Sequence, residues 1–286
     1  MSGVSGAFQT ECGEWRVRTF LSGALALDGG AMFGSVPRPV WERMIPPDDR
    51  HRIPLALRLL ILENDTTGRR VLVDGGMGDK EDAAFRDRFA VVGEDLRTSL
   101  SAEGVDPDSI TDVIITHLHF DHAGGLTRRE GDEVVPTLPG ARHYLQTSNR
   151  DNCLAPNARE RASYLRVNID PLTEIDLQLV DGTAEILPGV SVERSDGHTL
   201  GMQTVRVEGG GRVVRYLADL SPTHHHIRLP FTMGYDMSAQ TVMAEKEALY
   251  EAVREEEAIL LFEHDPAVAA ATLGEDRGKI VAVPVQ

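Results

Sequence analysis

The sequence predicts an α+β domain of the sandwich type, on three observations. Its apolar segments fall into two groups of short strands, each followed by stretches with helical spacing. Histidine or aspartate stands just after an apolar strand in both halves. No linker, low-complexity stretch or residue-level repeat divides the 286 residues, a length within reach of one large domain. Residues 1–286 are therefore read as one domain, with 1–50 giving an N-terminal strand and an apolar, proline-rich loop.

Met1 to Glu14 reads as irregular, and Trp15 to Leu27, with Trp15, Val17, Thr19 and Leu21 in alternation, as a first strand. After the turn Asp28-Gly29-Gly30, Ala31 to Arg43 carries Met32, Phe33, Val36, Val40 and Trp41 around Pro37 and Pro39, too proline-broken for a regular element. Pro54 to Glu63 is a strand, joined by the charged turn Asn64 to Arg69 to Val71-Leu72-Val73 in a hairpin that ends in Asp74-Gly75-Gly76. Helical spacing over Asp79 to Phe89 and Asp95 to Glu103 leads to a buried strand, Val113 to Thr116 with Ile110 before it. Arg142 to Gln146 is the next strand, followed by short helices at Thr147 to Cys153 and Asn157 to Val167. Thr183 to Arg194 gives two strands about Pro188-Gly189, and Gln203 to Val207 pairs with Arg212 to Leu217 across three glycines. Ser238 to Glu256 is amphipathic, with Val242, Leu249 and Val253 on one side. Ala258 to Phe262 is a core strand, and Lys279 to Val285 the last one.

Bulk composition narrows the function classes. Apolar content of 41% and charged content of 26% are those of an ordinary globular protein. A net charge of −16 disfavours a nucleic-acid partner, whose phosphates need surplus Lys and Arg. Met1 to Phe20 holds no apolar run of signal-peptide length, and no stretch approaches the eighteen or so apolar residues of a membrane span. Cys12 and Cys153 lack partners at metal spacing, so the expectation is a reduced, cytoplasmic chain acting on a small molecule, with neither nucleic acid nor membrane as partner.

The chemistry concentrates in His117-Leu118-His119-Phe120-Asp121-His122, which Gly124-Gly125 releases into the next element. Three imidazoles and a carboxylate at the end of a buried strand are a metal-ligand set. The strand period points His117 and His119 the same way, and Asp121 and His122 follow on the turn, able to serve a second ion. The theme recurs: Val190 to Asp196 runs into His198, Val213 to Ala218 into Asp219, and Ile259 to Phe262 into His264. Singly, these three are as well read as a turn residue, a helix cap and a surface histidine.

Taken together, the order His-x-His-x-Asp-His, then His198, Asp219 and His264, resembles the metallo-β-lactamase superfamily from about Leu55 to His264. The resemblance implies a four-layer αβ/βα sandwich of two mixed β-sheets flanked by helices. It implies two divalent ions per chain, the first held by His117, His119 and His198, the second by Asp121, His122 and His264, with Asp219 bridging both. Zinc is the default ion, and Mn, Fe or Co would also suit the second site. Asp74 would stand behind the ligands and orient a histidine or the loop amides. Such a pair of ions acidifies a bridging water and polarises a carbonyl or phosphoryl oxygen, and Asp121 could carry the proton to the leaving group. Members with cysteine at the bridging position are the β-lactamases themselves, and this chain has Asp219 there.

Within the superfamily, His117 to Gly125, the stretch Ala218 to His226 and the Phe33-Gly34-Ser35-Val36-Pro37 loop resemble the quorum-quenching N-acyl homoserine lactonases. An apolar mouth for an acyl chain would draw on Met32, Phe33, Trp41, Phe120, Phe231 and Met233, each of which is as well read singly as core packing. Better-known lactonases carry a tyrosine three residues after the bridging aspartate to meet the substrate carbonyl. Here the position is Pro222, so His224 or His226 is read as the replacement, or else as a solvated run. A phosphotriester hydrolase of the parathion-hydrolase type is the alternative, since composition does not separate the two. A glutathione thioesterase lacks its basic patch here, and a flavodiiron protein would have glutamate where this chain has His119. A degenerate binding protein would have lost ligands. A homodimer through the apolar segment Ala31 to Pro47 completes the reading.

Overall fold

Leu59, Leu60, Ile61 and Leu62 are four apolar residues in a row, and the strand period of two sends them to opposite faces. In the computed structural model, which describes residues 7–285, both faces are covered. Leu60 and Leu62 join Trp15, Val17, Val71 and Val73 against Val190, Val192, Val205, Val207 and Val214 of a second sheet. Leu59 and Ile61 face outward onto Leu96, Leu100 and Leu145. Burial on both faces is why this strand reads as a continuous apolar run instead of an alternating one.

The first sheet runs in the order Gln9–Cys12, Trp15–Asp28, Arg52–Asn64, Arg69–Val73, Asp112–Ile114, Arg142–Gln146 and Asp176–Val180. Its first four strands pair antiparallel and the remainder join in parallel. The second sheet runs Ala184–Leu187, Val190–Ser195, Met202–Gly209, Arg212–Tyr216, Ile259–Leu261, Ala270–Asp276 and Lys279–Pro284, with one parallel pair, Arg212–Tyr216 beside Ile259–Leu261. Parallel pairing joins Arg69–Val73, Asp112–Ile114, Arg142–Gln146 and Asp176–Val180 in the first sheet and sits at the centre of the second, so several strands end on the same side, and the histidines and aspartates follow those ends. The helix Ala239–Glu256, whose N-cap Ser238 accepts from Thr241 N, packs Val242, Leu249, Tyr250 and Val253 into the core shared by the sheets.

Several elements differ from the sequence reading. Gln9–Cys12 is an edge strand on Trp15–Asp28, while Met1 to Gly6 lie outside the described residues. Segment 31–43 holds two short helices: Gly29–Phe33 is capped by Asp28, and Arg38–Trp41 carries its proline in the first turn, where no hydrogen bond is lost. Asn157 to Val167 is not one helix; only Arg161–Ser163 and Arg166–Ile169 are helical. The hairpin Thr127–Glu130 with Glu133–Pro136 and the strands Asp176–Val180 and Ala270–Asp276 carry weak or polar patterns, and their pairing makes them strands.

Met32, Phe33, Trp41 and Ile45, part of the segment read as a dimer surface, are buried in this chain's own core with Leu25, Ile53 and Leu55. Val40 is the large apolar residue of that segment left exposed. Among the described residues, no helix is long and apolar enough to cross a membrane.

Candidate metal centre

Backbone hydrogen bonds join the two sheets where the site lies. Ala56 N donates to His264 O and Arg58 N to Glu263 O, both at 3.1 Å. On the other side, Gln203 N donates to Thr116 O at 2.9 Å, and its side-chain amide reaches Ile115 O at 2.8 Å. These bonds bring His117, His119, Asp121 and His122 of one half against His198, Asp219 and His264 of the other.

The seven side chains form interlocking groups: His117, His119 and His198; His117, His122 and Asp219; Asp121, His122 and His264. Within each group the nearest donor atoms lie within 4.8 Å of one another, and every member is buried. His119 Nδ1 is 3.2 Å from His198 Nε2, and His122 Nε2 is 3.2 Å from His264 Nε2. Asp219 spans the two: Oδ2 lies 3.2 Å from His198 Nε2 and 3.7 Å from His122 Nε2, and Oδ1 3.2 Å from His264 Nε2. His117 Nε2 is buried and has no hydrogen-bond partner among the described residues. A buried nitrogen without a partner and imidazole nitrogens facing each other are costly unless a cation takes their lone pairs. The donor set is what zinc-type ions bind, so the residues present fit two divalent cations.

Electrostatics leave these side chains ready to bind a cation. Burial and the surrounding histidines hold His117 and His119 well below the ordinary range, so both stay neutral and offer lone pairs. Asp219 is held well below the carboxylate range despite its burial, because His264, His198 and His122 face it. His122 is opposed by burial, yet Glu263, Asp219 and Asp121 hold it well above the usual imidazole value. In the metal-free chain, protons on such histidines neutralise the carboxylates, and a divalent cation would displace them.

Backbone geometry positions the ligands. Asp74 has φ +61 at its strand end, with Oδ1 accepting from Thr116 N and Oδ2 from Thr116 Oγ1, each at 2.7 Å, and with Oδ2 3.1 Å from His122 Nδ1. Ala218, before Asp219, has φ +45, a conformation non-glycine residues seldom adopt. His198 Nδ1 donates to Asp236 Oδ1 at 2.9 Å and His264 Nδ1 to Ala56 O at 2.9 Å. Each imidazole thus turns its other nitrogen toward the centre.

A cavity of about 270 Å³ opens over His119, Asp121, His198, Asp219 and His264. Its walls include Leu27, Met32, Leu55, Phe120, Met233 and Tyr235. Of the residues read from sequence as substrate contacts, Met32, Phe120 and Met233 therefore lie on it. The other five, Phe33, Trp41, Phe231, His224 and His226, do not. Phe33 stacks between Trp41 and His226, with Phe231 edge-on, as a packed ring cluster. His226 is fully buried; its Nε2 donates to Met32 O at 2.9 Å, and burial with nearby Lys246 pushes it down to about 3. His224 is paired with Asp265. Neither histidine lines the cavity, because both are spent on tying their segment to its neighbours.

With Arg159, Glu160 and Ser163, Tyr235 is one of the polar wall groups that sequence reasoning missed. Burial, then the carboxylates of Asp28 and Asp121, push its hydroxyl up to about 12, which keeps it a neutral donor. No described residue partners that hydroxyl. It lies two residues after Met233, in a loop already noted for its apolar members, and the absence of a tyrosine at Pro222 was the signal that could have pointed to it.

Known proteins resemble this chain in sequence and in fold. A family model described as the metallo-beta-lactamase superfamily matches residues 60–264. An N-acyl homoserine lactonase of Bacillus thuringiensis is 26% identical over 169 residues, 58% of this chain and 60% of that protein's length. The structure of a probable metal-dependent hydrolase from Staphylococcus aureus superposes with a TM-score of 0.87 at 26% identity, covering 97% of this chain and 99% of that one. AidC, a dizinc quorum-quenching lactonase in complex with a product, N-hexanoyl-L-homoserine, has a TM-score of 0.78 at 19% identity over 100% of this chain and 99% of its own, a likeness of fold.

Proposed function

Since the chain belongs to the metallo-beta-lactamase superfamily, we propose that it is a dinuclear metal-dependent hydrolase that opens the ring of N-acyl homoserine lactones. The observation that carries this reading is the placement of Asp219 between two histidine groups, at the floor of a largely apolar cavity. Two divalent cations bound there would supply Lewis acidity and acidify a water near neutral pH. The chain's own residues do the rest. His117, His119 and His198 would hold one cation, Asp121, His122 and His264 the other, with Asp219 between them. Asp121, on the cavity floor, accepts a proton and returns it to the departing ring oxygen. Met32, Phe120 and Met233 exclude water and accept the acyl chain, and Tyr235 donates to the lactone carbonyl. A cavity near the lower end of the usual small-molecule range suits a compact ligand such as a hexanoyl lactone. Zinc is the ion proposed, and the chain is read as cytoplasmic, with both cysteines buried and unbridged. A homodimer through residues 31–47 rests on exposed Val40 and is tested by light scattering in solution.

The test is turnover of N-hexanoyl homoserine lactone and of paraoxon by one metal-loaded preparation, with metal per chain measured by plasma emission on the same sample. Two ions per chain and a strong preference for the lactone are expected. Preference for the triester, or turnover of neither, rejects the substrate. Tyr235→Phe separates the cavity wall from the ions: kcat/KM for the lactone falls on the order of a hundredfold, while metal content stays at its original value. An unchanged rate would leave carbonyl polarisation to the cations alone.

A further inference from the structure

One carboxylate behind a metal-binding histidine has a ready explanation; this chain places two behind His122. Asp74 Oδ2 lies 3.1 Å from His122 Nδ1, and Glu263 Oε2 lies 3.0 Å from the same nitrogen. Both carboxylates are fully buried. Asp74 has other work, since it accepts from Thr116 N and Thr116 Oγ1 and so holds the strand end. Glu263 has none of that kind: neither of its oxygens takes a conventional hydrogen bond among the described residues. Burying a carboxylate is costly unless it is paired. Arg58, also fully buried, donates from its guanidinium to Phe262 O at 2.7 Å; the carboxylate of Asp265 acts on it most strongly, and Glu263 is within weaker electrostatic reach. Tyr216 closes the group, with its hydroxyl donating to Arg58 O at 2.9 Å.

We infer that Glu263 is a positioning residue for the second cation position: together with Asp74 it clamps the Nδ1 edge of His122, fixes the ring and increases electron donation from Nε2. The inference rests on the dinuclear reading, because it takes His122 as a ligand of the second ion. It assigns a role in the centre to a residue outside the seven proposed ligands. A purely structural alternative exists, in which Glu263 only neutralises Arg58, and metal binding distinguishes the two.

The experiment uses the full chain, wild type and Glu263→Gln, loaded with zinc and equilibrated against graded concentrations of a chelator. Ions per chain are read by plasma emission, and melting temperatures are taken for the metal-free and loaded forms. The first ion is expected to be retained as in the wild type, while the second leaves at roughly ten- to a hundredfold lower chelator strength. The gain in Tm on metal loading shrinks accordingly. Should the glutamine variant not fold, Glu263→Asp carries the test, with the second ion weakened and the first untouched. Both ions held at wild-type affinity, or a Tm lowered equally in the two forms, overturns the inference and leaves Glu263 as a counter-ion. Fewer than two ions in the wild type would instead overturn the dinuclear reading, and this inference with it.

Discussion

Asp219→Ala is expected to lower kcat by at least about a thousandfold and to leave fewer than two ions on the chain. The size of the effect follows from position. Asp219 puts one oxygen 3.2 Å from His198 and the other 3.2 Å from His264, so one substitution damages both halves of the centre. Its charge is also the one the surrounding imidazoles hold most firmly, since His264, His198 and His122 keep it ionised far below the ordinary carboxylate range. Removing it leaves three imidazoles facing one another without the anion that offsets them. His119→Ala, which strips a neutral ligand from one side only, is expected to weaken metal binding and abolish turnover by the same route. The check is initial rate and plasma-emission metal content on the same purified sample. Substantial hydrolysis by a metal-depleted Asp219→Ala protein would refute the mechanism.

Gly125→Ala carries the second large expectation, a loss of roughly 3 kcal/mol or more of stability together with the metal. A Cβ at Gly125 would stand 2.1 Å from Gly75 O and 3.4 Å from Leu96 Cβ, and one at Gly124 would stand 2.2 Å from Met77 O. Backbone meets backbone here: Gly75 N donates to His122 O at 2.7 Å and Gly125 N to Gly76 O at 2.9 Å. The loop after Asp74 and the turn carrying Asp121 and His122 therefore run side by side, and a methyl group must push one off the other. Because the displaced turn holds two of the proposed ligands, stability and metal affinity should fall together. Gly140→Ala, with open space around it and an ordinary backbone conformation, is the matched control and should change stability by no more than about 0.5 kcal/mol. Denaturant melts of both variants, with metal content, decide the matter; a Gly125→Ala protein as stable as the control would show that the seam yields.

The two sheets and the grouping of the seven ligand-type residues were legible because the relevant signals are local. A histidine next to the end of an apolar run is visible without knowing what it will meet, and parallel strands end on one side of their sheet. The edge strands Gln9–Cys12 and Asp176–Val180 were not legible, because their order comes from a neighbour's hydrogen bonds more than from their own pattern. His224 and His226 show the opposite failure: suitable chemistry in the right stretch, but consumed by Asp265 in one case and by Met32 O in the other. Tyr235 and Glu263 were hidden for a third reason. Glu263 meets His122, and the charge of Asp121 acts on Tyr235, each from more than a hundred positions earlier, and no short spacing encodes such a meeting.

The bonds that join the sheets at Ala56, Arg58, Glu263 and His264 also set a timetable. His264 follows His122 by 142 positions, so during synthesis the histidine-rich turn leaves the ribosome long before the strand that completes its cage. Until that strand docks, the chain lacks His264, and on the dinuclear reading ions met early would be held loosely at the second position and exchange. Capture of the full complement is thus a late event in maturation, coupled to closure of one sheet on the other. On the dinuclear reading, metal supply at the moment of release, more than during elongation, would govern what fraction of newly made chains becomes active.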